Sequence, residues 1–300
     1  MELKKLSDLL PYCQANIPVK RMAVIKAEDD HTLNAVFQAQ DAGVIEPVLI
    51  GTGSVIRELV ASLGRKERPK IVDITDSKEA AEKAIAMVHE GTVDYLMKGT
   101  LETKELMQVI VAKESGMRTG RLMSKIDFVE NPGIPKLFAL SDSALNPKPD
   151  LAAKKQIIEN ALEVLYTMGI KEPKVAVLAA AETLNPKLQE STDAAALKEM
   201  YDRGEFGPCM LEGPISIDLA LDPEAVRVKK YESPVGGDAD LVICPDLVSG
   251  NLMGKGMLLT GAKAAGIIIG AKVPIVLMSR AAAIEEKFQS IILGAIASGA

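Results

Sequence analysis

The sequence is poor in the residues that build metal centres and disulfide frameworks. Its 300 residues include three cysteines and two histidines, and Cys13, Cys209 and Cys244 lie far apart without a CxxC pair. Structural zinc sites and disulfide scaffolds both need closely spaced residues of these types. We therefore expect neither of them, and three scattered cysteines are typical of a protein from the reducing cytoplasm.

The chain also lacks a basic excess and a long hydrophobic run. It carries 35 basic against 41 acidic residues, whereas nucleic-acid-binding proteins usually have a surplus of Lys and Arg. Its most apolar stretch, residues 264–278, contains Lys272 and is shorter than the ~20 residues that span a bilayer. We interpret that stretch as a helix end, a turn and a buried strand. A signal peptide is not expected, because Asp8 and Pro11 interrupt the first apolar run. The chain is thus predicted to be cytoplasmic, without nucleic-acid or membrane partners.

Short apolar runs alternate with longer amphipathic segments along the whole chain. Continuous apolar runs are typical of parallel strands that are covered on both faces, and Asp76 and Asp150 stand where N-caps of the following helices are expected. This alternation predicts an α/β protein with mostly parallel sheets, and the length suits two domains. The predicted strands are residues 22–26, 48–50, 70–74, 95–97, 125–129, 137–140, 175–179, 215–219, 241–244 and 274–278.

Two familiar site motifs fail on inspection. Gly51 and Gly53 follow a predicted strand, but Ile56 stands where the dinucleotide-binding fingerprint requires glycine, so we expect a tight turn with Ser54 as N-cap. Asp218 and Asp222 would share one face of a helix, as a metal site requires. The residues before them look like a strand, however, and Asp222-Pro223 looks like a helix start, so no metal site is predicted.

Three polar loops at the ends of predicted strands are better candidates. The first is Lys98-Gly99-Thr100, with Thr103 shortly before a helix. An ammonium group, a hydroxyl, glycine-loop N–H groups and a helix N-terminus together make an anion site. The alternative interpretation is a solvated lysine beside a β-turn.

The second loop follows the strand at residues 241–244 and contains Asp246, Gly250, Asn251 and Lys255. Open α/β sheets bind ligands at the carboxyl ends of their strands, so these residues are candidate ligand contacts. The alternative is a capped helix entry without a ligand.

The third loop places Ser279 and Arg280 between a buried strand and a helix N-terminus. The helix dipole favours an anion there, and arginine can bind a phosphate through two N–H groups. An N-cap serine beside a surface arginine is the alternative interpretation.

The sequence resembles the phosphate acyltransferases, which comprise phosphate acetyltransferases and phosphate butyryltransferases, and it is most similar to the butyryl branch. The resemblance extends from about Met22 to the end of the chain. It is carried by the runs DYLMKGTLET, GMRTGRLMS, AAAETLNPKLQESTDAAALK, LEGPISIDLAL, GGDADLVICPDLVSGNLMGKGM and AAGIIIGAKVPIVLMSRAAAIEEKFQSI.

This resemblance implies a reversible reaction in which acyl-CoA and inorganic phosphate give acyl phosphate and CoA. It implies no metal, no cofactor and no covalent acyl-enzyme, with CoA as a substrate. It also implies the two-domain α/β fold of the isocitrate/isopropylmalate-dehydrogenase type, with the active-site cleft between the domains. We expect a first domain of residues 1–122 and 268–300, a second of residues 123–267, and a homodimer or higher homo-oligomer that assembles through the second domain.

The family pattern assigns roles to residues near the C-terminus. The active-site Ser-Arg pair falls on Ser279 and Arg280, and the acidic general base seven positions after the serine falls on Glu286. On a helical wheel Glu286 lies opposite an apolar stripe formed by Ile284, Phe288, Ile291 and Ile292, while Glu285, at the edge of the stripe, is the rival base. Acetyltransferases commonly place an arginine near the position of Gln108, so the groups that replace it here stay open.

Several alternatives remain at this point. Phosphate acetyltransferase activity is the nearest one, since the preferred acyl chain length cannot be inferred from these residues. A metal-dependent dehydrogenase of the same fold would need clustered aspartates, which the sequence shows only weakly. A regulator that binds CoA without catalysis would keep the fold but would not release thiol in response to phosphate.

Overall fold

The computed structural model describes residues 3–65, 69–279 and 282–299, and the chain in it separates into two compact units. The first unit contains Ser7–Arg121 and the segment from Ala265 to the end. The second contains Leu122–Ala264 and the start of the chain as far as Leu6. Each unit is an α/β structure with mostly parallel strands, which confirms the predicted fold class.

Strands and helices alternate as predicted over most of the described chain. The strands are β1 (Lys20–Ile25), β2 (Ile45–Gly51), β3 (Lys70–Asp73), β4 (Tyr95–Lys98), β5 (Ser124–Glu130), β6 (Phe138–Ser141), β7 (Lys174–Leu178), β8 (Met210–Ile215), β9 (Leu241–Ile243), β10 (Lys263–Ile269) and β11 (Ile275–Val276). The helices are α1 (Leu9–Asn16), α2 (Asp30–Asp41), α3 (Gly53–Ser62), α4 (Ser77–His89), α5 (Thr103–Val111), α6 (Leu151–Thr167), α7 (Gln189–Asp202), α8 (Ile217–Leu221), α9 (Pro223–Lys229), α10 (Leu247–Leu259) and α11 (Ile284–Ala297).

Two of the predicted elements are wrong. The strand expected at residues 215–219 ends at Ile215, and Ile217–Leu221 forms α8 instead. The helix end expected early in residues 264–278 is part of strand β10. Both errors have the same cause, because a short apolar run fits a buried strand and a buried helix equally well.

The helix N-caps follow the sequence signals closely. Asp76 accepts a hydrogen bond from Glu79 N at 2.9 Å, and Asp150 accepts one from Ala153 N at 2.8 Å. The N-cap of α3 is Thr52 and not Ser54, since the helix already begins at Gly53.

In the first unit the strands lie in the order β3-β2-β1-β4-β11-β10. The first five are parallel, and β10 is antiparallel to β11. Ile275 of β11 pairs with Leu96 of β4, so the last parallel strand joins the first strands of the chain.

Helix α11 is buried on more of its surface than the sequence suggests. It packs against α1 and α2 as well as against β4 and β11. Lys287, Gln289 and Ser290 are therefore buried along with Ile291 and its apolar neighbours. The predicted single apolar stripe is wrong, because Ile284 and Phe288 are only half-buried.

In the second unit the strands lie in the order β5-β6-β9-β7-β8, with β5 antiparallel to β6 and the others parallel. Helices α8 and α10 pack on one face through Leu219, Leu221, Met253 and Met257. Helices α6 and α7 contact each other and the same strands from outside that cluster. After β6 the chain thus runs to α6 on one face of the sheet, and after β9 it runs to α10 on the other face. No helix in the described ranges has both the length and the apolar character needed to cross a membrane.

Candidate functional site

The parallel strands of the first unit all end at one edge, and several candidate residues lie in the loops that follow them. Lys98 is the last residue of β4, and Ser279 comes three residues after the end of β11. Because β4 and β11 pair in parallel, both residues are at the carboxyl edge of these strands. This is the edge at which α/β proteins usually bind ligands.

The loop after β4 is closed by bonds within the protein. Lys98 is buried, and its Nζ donates to the carbonyls of Gly99 at 3.0 Å and Leu101 at 3.2 Å. Gly99 N donates to Ile25 O at 2.8 Å, and Thr100 N donates to a carbonyl of the neighbouring loop at 2.9 Å. An anion could use these donors only by replacing internal hydrogen bonds. An anion-binding role for Lys98, Gly99 and Thr100 stays a prediction.

Close packing accounts for the glycine in this loop. A Cβ atom at Gly99 would lie 2.0 Å from Lys26 O, which no side chain tolerates without backbone movement. Thr103, expected just before a helix, is the first residue of α5 and is exposed, with Glu102 as the N-cap. Gln108 is exposed on the same helix.

Carboxylates occupy the turn that resembles part of a dinucleotide fingerprint. Thr52 N donates to Glu28 Oε1 at 2.7 Å, and Gly53 N donates to Asp73 Oδ1 at 2.8 Å. Lys26 Nζ lies 2.6 Å from the same Glu28 oxygen. Burial alone would raise the pKa of Glu28, but the hydrogen bonds from Lys26 and Thr52 outweigh it and lower that pKa. The start of α3 is thus capped by the protein itself.

Ser279 is exposed and lies between β11 and α11. Its carbonyl accepts a hydrogen bond from Ala282 N at 3.1 Å, and the N-cap of α11 is Ala283. Ser279 is therefore not the N-cap serine of the alternative interpretation. The strand predicted at residues 274–278 is only Ile275–Val276, and Arg280 lies outside the described residues.

Glu286 is half-buried in the first turn of α11. Its Oε2 accepts a hydrogen bond from Ala283 N at 3.0 Å, which satisfies a backbone donor at the start of the helix. Glu285 is exposed, and its Oε1 accepts from Gln289 Nε2 at 2.7 Å. Glu286 thus accepts from the backbone, whereas Glu285 accepts from a neighbouring side chain. The bond of Glu286 uses one of its two carboxylate oxygens.

The predicted site residues of the second unit surround the start of α10. Asp246 is the N-cap and accepts from Ser249 N at 2.8 Å, and this backbone hydrogen bond lowers the pKa of Asp246. Asn251 Nδ2 donates to the carbonyl of Ser143 at 3.4 Å. Lys255 is exposed one turn further along the helix.

Gly250 is explained by packing, as Gly99 is. A Cβ atom at Gly250 would lie 2.8 Å from Asp142 O and 3.0 Å from Cys244 Sγ. The capped helix entry is therefore present, and ligand binding by Asp246, Gly250, Asn251 and Lys255 stays a prediction.

Sequence reasoning missed a polar cluster at this edge of the second unit. Lys125 Nζ lies 2.5 and 2.7 Å from the two carboxylate oxygens of Asp127, and Ser143 Oγ donates to Asp127 Oδ2 at 2.5 Å. The signal was available, because Asp142 and Ser143 directly follow β6 just as Asp246 follows β9.

The two aspartates weighed as metal ligands have other partners. Asp218 binds Lys229 Nζ at 2.7 Å, and this hydrogen bond is the main cause that lowers the pKa of Asp218 to about 2. Asp222 caps α9 by accepting from Glu224 N at 2.9 Å. Within residues 3–65, 69–279 and 282–299 no group of three or more His, Cys, Asp and Glu side chains is arranged to hold a metal ion.

The sequence matches a family model described as "Phosphate acetyl/butaryl transferase" over residues 70–295. A phosphate acetyltransferase of Rhizobium meliloti is 40% identical over 273 residues, which covers 89% of this chain and 85% of the relative. A phosphate butyryltransferase of Clostridium acetobutylicum is 36% identical over 283 residues, 94% of each chain.

Solved structures show the same fold. A branched-chain phosphotransacylase from Enterococcus faecalis superposes with a TM-score of 0.84 at 31% identity, covering 93% of this chain and 99% of that one. A 4-hydroxythreonine-4-phosphate dehydrogenase from Klebsiella pneumoniae superposes with a TM-score of 0.58 at 13% identity, covering 94% and 98%. At that identity the second likeness concerns the fold alone, and it agrees with the expected dehydrogenase-type architecture.

Proposed function

Because the chain belongs to the phosphate acetyl/butyryltransferase family and is therefore an acyltransferase, we propose that it transfers a short acyl group, preferentially butyryl, between CoA and inorganic phosphate. The observation that carries this proposal is the family match over residues 70–295. The relatives' names supply an acetyl or butyryl group and phosphate, and the family implies that CoA carries the acyl group.

Two observations favour an acyl group longer than acetyl. The solved structure that is 31% identical is a branched-chain phosphotransacylase. Gln108 stands on the exposed side of α5, near the position at which acetyltransferases resembling this chain carry an arginine. Acetyl transfer is the second candidate, because a relative named phosphate acetyltransferase is 40% identical.

In the proposed mechanism Glu286 is the general base. A free thiol has a pKa of ~8.5, so only a few per cent of CoA is thiolate near pH 7. Glu286 takes the thiol proton, and the thiolate attacks the acyl carbon of acyl phosphate. Phosphate then leaves with the electrons of the C–O bond, and the acyl thioester is formed. The hydrogen bond from Ala283 N to Glu286 supports this role, because it fixes one carboxylate oxygen and so the direction of the other.

Ser279 and Arg280 act on the charges that develop during the reaction. Attack at the acyl carbon forms a tetrahedral oxyanion, and the exposed hydroxyl of Ser279 donates a hydrogen bond to it or to the sulfur of CoA. Arg280 binds the phosphate group. The substrates are bound in this proposal by residues of the two other candidate loops, namely Lys98, Gly99, Thr100, Thr103, Asp246, Gly250, Asn251 and Lys255. The proposed reaction requires no metal and no cofactor.

We also propose a homodimer that forms through α10. Val248, Leu252 and Leu259 on this helix are 60%, 67% and 89% exposed, while Met253 and Met257 pack on the core. A helix that is apolar on both sides is usually buried on both sides. A second copy of the chain is the partner we propose for this largely apolar face, which also carries the exposed Lys255, and Leu252→Glu should convert the dimer into a monomer. A monomeric wild type in light scattering would contradict the dimer.

We also propose that the protein works in the cytoplasm. Its three cysteines are free and buried, which supports a reducing compartment.

The function is tested by measuring thiol release from acetyl-, propionyl-, butyryl- and longer acyl-CoAs with and without phosphate. We expect release that depends on phosphate, with the highest kcat/KM for butyryl-CoA. A maximum at acetyl-CoA would assign the second candidate. Thiol release that does not depend on phosphate, or none at all, would contradict both.

A further inference from the structure

The cluster of Lys125, Asp127 and Ser143 lies where strands of the second unit meet at one edge. Strand β5 is antiparallel to β6, so the start of β5 is level with the end of β6, and Ile126 pairs with Ser141. Strand β9 is parallel to β6 and ends at the same level. The chain leaves β6 and β9 towards different faces, and such a point is where α/β sheets bind ligands.

A contribution to stability is a weak explanation for the presence of this ion pair. The side chains of Lys125 and Asp127 are only 14% and 12% exposed. The cost of removing two charges from water offsets most of the attraction between them, so buried ion pairs are weak sources of stability. Apolar side chains would fill the same space at no greater cost, and the pair therefore calls for another explanation.

The surrounding loop is held in one conformation. Asp142 Oδ1 accepts from the backbone N–H groups of Lys125, Ala144 and Leu145, and its Oδ2 accepts from the backbone and the side chain of Asn146. Asp142 is almost fully buried. Ser143 is thus fixed next to Asp127 before any ligand arrives, as a binding site requires.

In the described part of the chain, Lys125 and Asp127 do not use all of their hydrogen-bonding capacity on each other and on Ser143. An ammonium has three N–H donors, and in the described part of the chain Lys125 uses two of them on Asp127. A carboxylate has about four acceptor positions, and Asp127 uses three of them, two for Lys125 and one for Ser143. The remaining donor and acceptor match an anion that carries both a charged oxygen and an O–H group.

We infer that Lys125 and Asp127 form a binding site for the hydrogen phosphate ion. Lys125 donates to a charged phosphate oxygen, and Asp127 accepts from the P–O–H group, which removes the repulsion that a fully deprotonated anion would meet there. Ser143 orients Asp127, and Asn251, which donates to Ser143 O, links the site to the predicted contacts on α10. The inference rests on the proposed function in one respect, namely that inorganic phosphate is a substrate.

The test is a calorimetric titration with inorganic phosphate and with sulfate, which has the same shape but no O–H group at neutral pH. One lost hydrogen bond to a charged group reduces affinity by about tenfold or more. We expect wild type to bind phosphate at least about tenfold more tightly than sulfate. In Lys125→Met/Asp127→Asn, phosphate affinity should fall at least about tenfold, and the preference over sulfate should disappear. This double variant removes both charges and leaves an acceptor for Ser143, so it should fold.

The matched control is Lys136→Met. Lys136 binds Asp240 at 2.7 Å with side-chain exposures of 21% and 16%, close to those of the Lys125 pair, but it precedes β6 and so lies at the opposite end of the same strands. It should bind both anions like wild type. Equal binding of phosphate and sulfate by wild type, or a double variant with the wild-type preference, would overturn the site.

A titration with CoA distinguishes the two sources of a phosphate group. A double variant that loses affinity for CoA alone, with unchanged affinity for inorganic phosphate, would overturn the assignment to the free ion. These titrations do not depend on turnover. Failure of the proposed function would instead appear as thiol release that does not respond to phosphate.

Discussion

The two units place lysines at their strand edges in different surroundings. The ammonium of Lys98, in the first unit, donates to the backbone carbonyls of Gly99 and Leu101, so its loop is bonded to itself. The ammonium of Lys125, in the second unit, binds the carboxylate of Asp127. A lysine bonded to carbonyls inside its own loop stabilises that loop, whereas a lysine paired with a carboxylate at the end of a sheet can share its partner with a ligand.

The two units also differ in the roles that we propose for their residues, since we assign reacting groups to one unit and binding groups to the other. In the first unit the groups that we propose to react are Ser279 and Glu286, which follow β11, and the Lys98 loop is not among them. In the second unit no reacting group is proposed, and the polar side chains bind one another. The comparison teaches that lysines at the edges of the two units can have different partners, backbone carbonyls or a carboxylate, which the residue type alone does not predict.

The largest effect is expected at Glu286. Removal of a general base costs about 10²–10⁴ in rate, so Glu286→Gln should lower kcat by that factor with little change in the KM for phosphate. The glutamine oxygen can still accept from Ala283 N, so the start of α11 should be preserved. Steady-state kinetics checks this, with Glu285→Gln as the control. A near-wild-type Glu286→Gln beside an inactive Glu285→Gln would move the base by one position.

A somewhat smaller loss is expected at Ser279. Removal of one donor to a developing oxyanion costs about 10²–10³ in kcat, and this is the expected effect of Ser279→Ala. Hydroxide ions cannot replace that donor, so the loss should be the same at pH 7 and at pH 9. A loss that disappears at high pH would show that Ser279 acts on the thiol proton instead.

The glycines of the two edges test whether both loops are closely packed. Gly99→Ala and Gly250→Ala should each lower the free energy of unfolding by about 1–3 kcal/mol, since the added Cβ would meet backbone at 2.0 and 2.8 Å. Gly256→Ala in α10 is the control, because open space surrounds that position. It should raise the free energy of unfolding by about 0.5–1 kcal/mol. Urea denaturation measures all three, and an unchanged Gly99→Ala would contradict the close approach.

The smallest effect concerns the cap at Asp246. Asp246→Ala should cost about 1 kcal/mol of stability, because the bond to Ser249 N is lost. The pKa of Asp246 is lowered in the folded protein, so its contribution is present above the unfolded pKa of about 3.9. It is lost as the pH falls through the lower folded value. The stability difference between wild type and Asp246→Ala should therefore shrink below about pH 4, and a constant difference would count against the charged cap.

The sequence predicts the architecture better than it predicts the sites. Helix starts could be predicted at Asp76, Asp150 and Asp222, because an N-cap carboxylate accepts from a backbone N–H no more than three residues away. Residues 215–219 mislead because packing, and not local preference, decides whether an apolar run becomes a strand or a helix. Two carbonyls that accept from Lys98, those of Gly99 and Leu101, are in its own loop. The hydrogen bonds that join this loop to Ile25 and Lys26 depend on tertiary folding.

The cluster of Lys125, Asp127 and Ser143 also depends on tertiary folding, which the sequence alone does not reveal. Asp127 and Ser143 are 16 residues apart and meet only because β5 and β6 pair in register. A motif search that favours glycine-rich loops passes over such residues, whereas a search for polar residues at the ends of every predicted strand would have found Ser143. The pairing of Lys125 with Asp127 is local, since the two residues share one face of β5.

The most direct test of the account is the pH dependence of the rate ratio between wild type and Glu286→Gln in the direction that acylates CoA. Free thiolate replaces the base as the pH approaches the thiol pKa of ~8.5, so the ratio should fall steadily from pH 6.5 to pH 9. The Ser279→Ala ratio, measured in parallel, should stay flat. A Glu286→Gln ratio that does not change with pH would contradict the assignment of Glu286 as the base that activates CoA.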